Sequence, residues 1–352
     1  MTDPDPQNAP SARGRRRAWL LAALGLLLAA GGGGRLLLKD FDRPANPAQS
    51  SPALFEVRAG MGVRRVAQAL EERGLIRSPL LFQLQARVRG GARRIRTGFY
   101  EFSPAMPPRR IYRDLIEGRV VQRTVTIPEG FNLREIAEAV QKAGLAPKEA
   151  ILDLARDAGL RSRFGAEGDS LEGYLFPDTY RFPLGTPPRE ILRAMAENMR
   201  RKFGPALRGQ AEQMGFTVHE VLTLASLIEK ETPIEAERPL VAAVFLNRLR
   251  REMPLQSDPT VIYALPRFEG NLRRRDLAHD SPYNTYLHKG LPPGPIASPG
   301  LASIRAALRP ADVDYLYFVA TPTGGHAFSR TYREHQAAIA RHQREQREMV
   351  DP

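Results

Sequence analysis

Two stretches of the chain repeat one pattern of apolar and polar positions, 70 residues apart. In the first, Phe55-Glu-Val-Arg-Ala-Gly60 leads into Val63, Val66, Ala67, Ala69, Leu70, Gly74 and Leu75. In the second, Val125-Thr-Ile-Pro-Glu-Gly130 leads into Leu133, Ile136, Ala137, Ala139, Val140, Gly144 and Leu145. Alternation predicts a short strand, the three-and-four spacing predicts an amphipathic helix, and the glycines predict a turn and a helix end. A partial third copy starts at Phe99-Tyr-Glu-Phe102 and runs through Ile111, Leu115 and Ile116 to Gly118. Residues 54–160 therefore read as small strand–helix units that pack together.

Residues 168–186 are loop-like but aromatic, with Glu172-Gly-Tyr-Leu-Phe-Pro-Asp-Thr-Tyr180 at their centre. Residues 187–214 predict a helix, with Ile191, Leu192, Met195 and Met199 at helical spacing. Thr217-Val-His-Glu220 is a capping box, and Val221, Leu222, Leu224, Ala225, Leu227 and Ile228 follow it. A helix with so few polar faces should be buried. Pro233 and its restricted predecessor stop that helix, and Pro239 opens the next, through Leu240, Val241, Val244, Phe245 and Leu249. After Met253 the chain turns polar, in Gln256-Ser-Asp-Pro-Thr-Val-Ile-Tyr263, Ser281-Pro-Tyr-Asn-Thr-Tyr286 and Gly290-Leu-Pro-Pro-Gly-Pro-Ile296. Tyr315-Leu-Tyr-Phe-Val-Ala320, a glycine turn and His326-Ala-Phe-Ser329 predict a hairpin. A charged helix from Tyr332 to about Met349 closes the chain. The fold class is α+β.

Composition bounds the chemistry. The 352 residues are 42% hydrophobic and 26% charged, enough for two or three domains with real cores. No cysteine is present, which excludes disulfides, thiol nucleophiles and thiolate zinc sites. The formal net charge of +13 favours polyanionic surroundings. A nucleic-acid partner rests on that charge alone, and arginines alternating with acids, as at Arg134-Glu135, suit solvated helix faces instead.

The N-terminus adds a membrane element. Arg13, Arg15, Arg16 and Arg17 precede an uncharged run from Ala18 to Gly34, and Leu36, Leu37 and Leu38 extend it. A span needs ~20 mostly apolar residues, which residues 18–38 supply, with Arg35 near the outer end where it can snorkel. The basic flank makes residues 1–17 a cytoplasmic tail, and puts the body, after a linker at residues 39–53, outside the inner membrane. A signal peptide cleaved near Gly31 to Gly34 competes with this transmembrane helix.

Candidate catalytic groups are few. His219-Glu220 is half of a zinc-protease motif, but Thr223 stands where the second histidine belongs, so no metal site is expected. No serine elbow, phosphate loop or dinucleotide fingerprint occurs, and no cofactor is expected. Glu229 ends the apolar helix and faces polar loops. A carboxyl held against apolar groups keeps its proton to higher pH and can act as a general acid. Position alone favours a plainer role, a helix-end carboxylate paired with Lys230 or Arg248. Glu231, two residues on, faces elsewhere on the helix, so the two make no working pair.

The order of Leu224-Ala-Ser-Leu-Ile-Glu-Lys-Glu-Thr232, Glu237-Arg238, Val244-Phe-Leu-Asn-Arg-Leu249, Leu255-Gln-Ser-Asp-Pro-Thr-Val-Ile-Tyr263, Tyr283-Asn-Thr-Tyr286, Gly290 to Ile296, Tyr315 to Val319 and Gly325-His326 resembles the endolytic murein transglycosylases, the YceG-like family. The resemblance covers roughly residues 54–345. It implies a single membrane span, LysM-like repeats at residues 54–160 and a mixed α+β catalytic domain at residues 161–352. It makes Glu229 the catalytic glutamate, against the plainer role. The implied reaction is lyase cleavage between N-acetylmuramic acid and N-acetylglucosamine in nascent peptidoglycan, leaving 1,6-anhydro-muramic acid and terminating glycan elongation. Gln256, Asp258, Thr260, Tyr263, Asn284, Thr285 and Tyr286 are the candidates for the saccharide cleft. Expected partners are glycan strands, the inner membrane and peptidoglycan synthases. The competing class is a non-enzymatic, membrane-tethered peptidoglycan-binding protein.

Overall fold

The computed structural model describes residues 42–90 and 94–350, and the chain divides between Val121 and Gln122 into two compact units. The expected tail and span, residues 1–38, lie outside the described residues. Among the described residues no helix is long and apolar enough to cross a membrane.

The first unit contains β1 (Ala53–Val57), α1 (Val63–Glu72), α2 (Pro79–Val88), β2 (Gly98–Phe102) and α3 (Pro108–Glu117). Its strands pair antiparallel with Phe55 opposite Tyr100, over a core of Phe55, Val66, Leu70, Phe82, Tyr100, Ile111 and Leu115. Part of the expected linker is tied to this unit: the Asn46 amide donates to Pro104 O at 2.9 Å, and the Ala105 amide to Gln49 O at 3.2 Å.

The second unit begins with β3 (Gln122–Thr126), α4 (Leu133–Lys142), α5 (Lys148–Ala155), α6 (Ala158–Phe164), β4 (Thr179–Pro183) and α7 (Pro188–Lys202). It continues with α8 (Pro205–Met214), α9 (Val218–Glu231), α10 (Arg238–Arg250), α11 (Asp258–Ala264), α12 (Leu301–Leu308), β5 (Tyr317–Ala320), β6 (His326–Ser329) and α13 (Tyr332–Val350). The division falls at 121/122 rather than at 160/161, so the second repeat shares a core with the helices that follow it.

The repeat is longer than the sequence pattern suggests. Gly60 and Gly130 take φ of 81° and 78°, and Gly74 and Gly144 take 66° and 68°, values natural to glycine. Both first helices end in the same paired hydrogen bonds: Leu75 N to Leu70 O with Gly74 N to Glu71 O, and Leu145 N to Val140 O with Gly144 N to Gln141 O. What reads as a third copy is the closing half of the first, because β2 pairs with β1. Its counterpart is β4, which pairs with β3 and sets Val125 opposite Tyr180. Tyr100 stacks on Phe102 and Tyr180 on Phe182, at 5.5 and 5.9 Å between ring centroids. Each tyrosine hydroxyl donates to the carbonyl four residues upstream, Arg96 O at 2.7 Å and Phe176 O at 2.6 Å. Pro107-Pro108 and Pro187-Pro188 then lead into α3 and α7. The unit repeated is strand, two helices, strand, helix, and α6 is inserted in the second copy.

Three local expectations change. Residues 168–186 contain β4, where Pro177 and Pro183 mask a short alternation. Residues 187–214 form two helices, because Pro205 cannot supply an amide to a continuing turn and Phe203 takes φ −84°, ψ 57°. Residues 258–264 form α11, with Pro259 in the first turn and Asp258 at the positive end of the helix dipole.

α9 lies at the centre of the second core. Leu222, Leu224, Leu227 and Ile228 are at most 1% exposed, each burial stabilising by about 1.5–3 kcal/mol. α12 and α10 pack against it. The capping box forms: Thr217 Oγ1 accepts from Glu220 N at 3.1 Å, and Glu220 Oε2 accepts from Thr217 N at 2.7 Å. Thr217→Ala is expected to cost about 1 kcal/mol, the usual loss for a hydroxyl N-cap. Chemical denaturation of the two proteins side by side checks this, and an unchanged unfolding midpoint would mean that tertiary burial alone fixes the start of α9.

Candidate active site

α9 stops where its backbone turns extended at Thr232, φ −140° and ψ 130°, ahead of Pro233. Glu229 therefore lies in the last turn, with an apolar helix behind it. Ser226 Oγ, one turn earlier, accepts from Ile296 N at 3.1 Å and itself donates to Thr223 O. This draws the segment after Ile296 across the helix end. Ser298 and the turn of the second repeat exchange backbone bonds, Gly130 N to Ser298 O at 2.9 Å and Ser298 N to Phe131 O at 2.8 Å. Three segments distant in sequence thus meet at Glu229.

The side chain of Glu229 is 6% exposed. Its Oε1 accepts from Arg238 Nη2 at 3.0 Å, and its Oε2 from Gly300 N at 2.8 Å. Its partner is thus neither of the two cations that sequence position suggests. Lys230 Nζ donates to Gly130 O at 3.3 Å, and Arg248 Nε and Nη1 donate to Leu316 O and Leu255 O, both at 2.7 Å. Arg238 Nη2 also lies 3.8 Å from Glu129 Oε2, on the repeat turn. Burial first, then the Glu229 charge, pushes the Glu129 carboxyl above its usual range. A Cβ on Gly300 would fall 2.0 Å from Glu129 Oε1, so a side chain there would displace the Glu129 carboxylate from its place beside the Gly300 amide.

Apolar surroundings of the kind expected at Glu229 occur at two other carboxyls. Burial pushes Glu231 up to about 7, against the hydrogen bond from Ser257. Burial likewise pushes Glu172 up to about 7, against the Leu133 amide at 3.0 Å and the Tyr263 hydroxyl at 3.3 Å. Glu172 thereby links the first turn of α4 to α11.

The seven cleft candidates divide. Gln256 is exposed at φ 51°, with its amide bonded to Thr285 O at 3.1 Å. Asp258 is exposed and accepts from the Tyr286 hydroxyl, and Tyr286 is partly buried. Tyr263 packs at a tilt against Tyr283, with ring centroids 5.0 Å apart, while its hydroxyl meets Glu172. Thr260, Asn284 and Thr285 are at most 1% exposed and bond inward. Thr260 and Thr285 pair through their hydroxyls at 2.9 Å, and Asn284 Nδ2 donates to Leu277 O at 2.9 Å and His279 O at 2.8 Å. These three lock the loop that carries the exposed ones. Glu231, bonded to Ser257 beneath the same loop, belongs to that scaffold.

Sequence reasoning did not single out Arg238, Glu129 or Gly300. Arg238 stands in the Glu237-Arg238 motif, and Glu129 in a repeat whose first copy has Ala59 at the same place. That difference was the available signal. Glu237, beside Arg238, accepts from His326 N at 2.9 Å and meets its Nδ1 at 2.7 Å, tying α10 to β6. His219 has both ring nitrogens engaged, with the Tyr174 hydroxyl at 3.0 Å and Pro293 O at 2.8 Å. No cluster of metal-ligating side chains occurs among the described residues.

Residues 55–341 match the YceG-like family. The endolytic murein transglycosylase of Bacillus subtilis is 33% identical over 316 residues, which cover 85% of this chain and 87% of that protein. The endolytic murein transglycosylase of Streptococcus pneumoniae serotype 2 is 31% identical over 322 residues, with 80% of this chain spanning 57% of that longer protein. The crystal structure of a yceG-like protein from Listeria monocytogenes matches with TM-score 0.57 and 34% identity, over 82% of this chain and 100% of that one.

The two raised carboxyls set a pH dependence. Glu172 and Glu231 hold protons when folded that the unfolded chain, with carboxyls near 4.5, releases. Their contribution is fully present below about pH 4.5 and is lost as pH rises through about 7, on the order of 3 kcal/mol for each. Glu172→Gln should therefore lose less stability than wild type between pH 5 and pH 8, read in thermal melts. Parallel wild-type and variant curves would contradict the assignment to Glu172.

Proposed function

Because the chain belongs to the YceG-like family, we propose that it is an endolytic lytic transglycosylase of peptidoglycan in which Glu229 is both acid and base. The observation that carries the Glu229 assignment is a carboxyl at the end of a buried helix, 6% exposed, with each oxygen fixed by one donor. Positioned donors and acceptors of this kind cost no reorganisation when charge develops in the reaction. Relatives named as transglycosylases match over most of the chain and disfavour a purely wall-binding tether.

The reaction needs one proton passed twice. Protonated Glu229 donates to the glycosidic oxygen as the bond from C1 of N-acetylmuramic acid breaks, and N-acetylglucosamine leaves with a free hydroxyl. The C6 hydroxyl of the same muramic acid bonds to the oxocarbenium-like C1, and its proton returns to Glu229. No water is consumed, and the product ends in 1,6-anhydro-muramic acid. The two-carboxylate glycosidases instead assign base or nucleophile to a second group.

Gln256, Asp258 at the start of α11 and Tyr286, held by the bonds of Thr260, Asn284 and Thr285, are proposed to hold the sugars, with Tyr263 behind them. The repeats are proposed to hold glycan in a LysM-like manner. Equivalent positions line a groove in each, about 650 Å³ along Phe55, Met61 and Arg65 and about 480 Å³ along Val125, Phe131 and Glu135. An anchor at residues 18–38 would keep the body outside the inner membrane, near nascent strands and their synthases.

Glu229→Gln keeps the shape and removes the transferable proton. Activity on purified peptidoglycan should fall by at least ~10²-fold. Glu231→Gln and Glu237→Gln should cost less, because their bonds hold Ser257 and His326 rather than substrate. Near wild-type turnover by a folded Glu229→Gln protein would reject this assignment of the acid.

A further inference from the structure

The turn between β3 and α4 carries a group that the single-carboxyl mechanism leaves unused. Glu129 stands where the first repeat has Ala59, so the backbone of the turn does not require it. Its carboxylate lies against Gly300, whose amide binds Glu229, and reaches within 3.8 Å of Arg238. One nitrogen of Arg238, Nη2, faces both carboxylates, while its buried Nε bonds to neither.

We propose that Glu129 is a positioning residue for the transglycosylase reaction: by sharing Arg238 with Glu229, it keeps the guanidinium from being committed to the catalytic carboxyl alone. This rests on Glu229 being the acid. Two carboxylates and one guanidinium carry one net negative charge when all are ionised, and a single proton neutralises the trio. Without Glu129, the Glu229–Arg238 pair is neutral as it stands, and protonation would leave a buried net positive charge. Like charges favour protonation, and an opposite charge opposes it. The upward push on Glu129 from Glu229 has the same direction. The other charges nearby are Glu235, which adds to the repulsion at Glu129, and Lys230, whose ammonium is held on Gly130 O.

The test is the pH dependence of kcat/KM on purified peptidoglycan with the full chain. Glu129→Gln should move the alkaline limb to lower pH by about one unit, the scale of one neighbouring charge. Near the low-pH plateau it should retain most of its turnover. Glu129→Asp retains the charge and should bring the limb back toward the wild-type position. A limb that stays in place in Glu129→Gln overturns the proposal, as does a loss of equal factor at every pH, which would mark a purely structural role. Thermal melts of both variants identify a folding defect. If Glu129→Gln does not fold, Glu129→Ala takes its place, with the same shift expected and the same result overturning it. Loss of the Glu229 assignment would appear separately, as activity persisting in Glu229→Gln at all pH values.

Discussion

The site depends on satisfying a carboxylate that the fold almost closes over. A charge left unpaired at 6% exposure would cost several kcal/mol, so Glu229 can occupy the end of α9 only because Arg238 and the Gly300 amide reach it. Each of those donors makes its own demand. Arg238 requires α10 to begin directly after the turn at Pro233, a turn held by Thr232, Glu237 and His326. The Gly300 amide requires the segment after Ile296 to lie across α9, which Ser226 secures. The helix is buried on all sides because every neighbour that supplies a donor also packs against it.

The repeats show one supersecondary unit put to two uses. The first copy closes on its own core of Phe55, Leu70, Tyr100 and Leu115. The second shares its core with α7, α9 and α10, and its turn exchanges two backbone bonds with Ser298. The same glycine conformations and the same tyrosine-to-carbonyl bonds serve both. What distinguishes them is chemistry added at the turn: Glu129 in place of Ala59, beside the candidate acid.

Features encoded within a few residues were legible in the sequence. The capping box at Thr217 and Glu220, the end of α9 before Pro233, the hairpin of β5 and β6 and the charged helix α13 are all of this kind. β4 was not, because a five-residue strand flanked by prolines is defined by its partner, 53 positions away at Thr126 and Thr179. The break between α7 and α8 was written locally in Gly204-Pro205, but the apolar spacing before it reads as one helix. Glu229 was legible as the end of an apolar helix and, through resemblance, as the candidate acid. Its electrostatic partners were not, since Glu129 and Gly300 lie 100 and 71 residues from it along the chain and meet it only in the folded core. Thr260, Asn284 and Thr285 show the converse limit, for polar loop residues that could touch sugar instead spend their bonding capacity on the loop itself.

The central claim is that one carboxyl passes a proton twice and no water enters the bond. Mass spectrometry of the products released from purified peptidoglycan, with digestion run in heavy-oxygen water, tests it most directly. Glycan ends carrying 1,6-anhydro-muramic acid with no label are the expected result. Labelled reducing ends at muramic acid would contradict it, because they require water as the nucleophile and a second group to activate it.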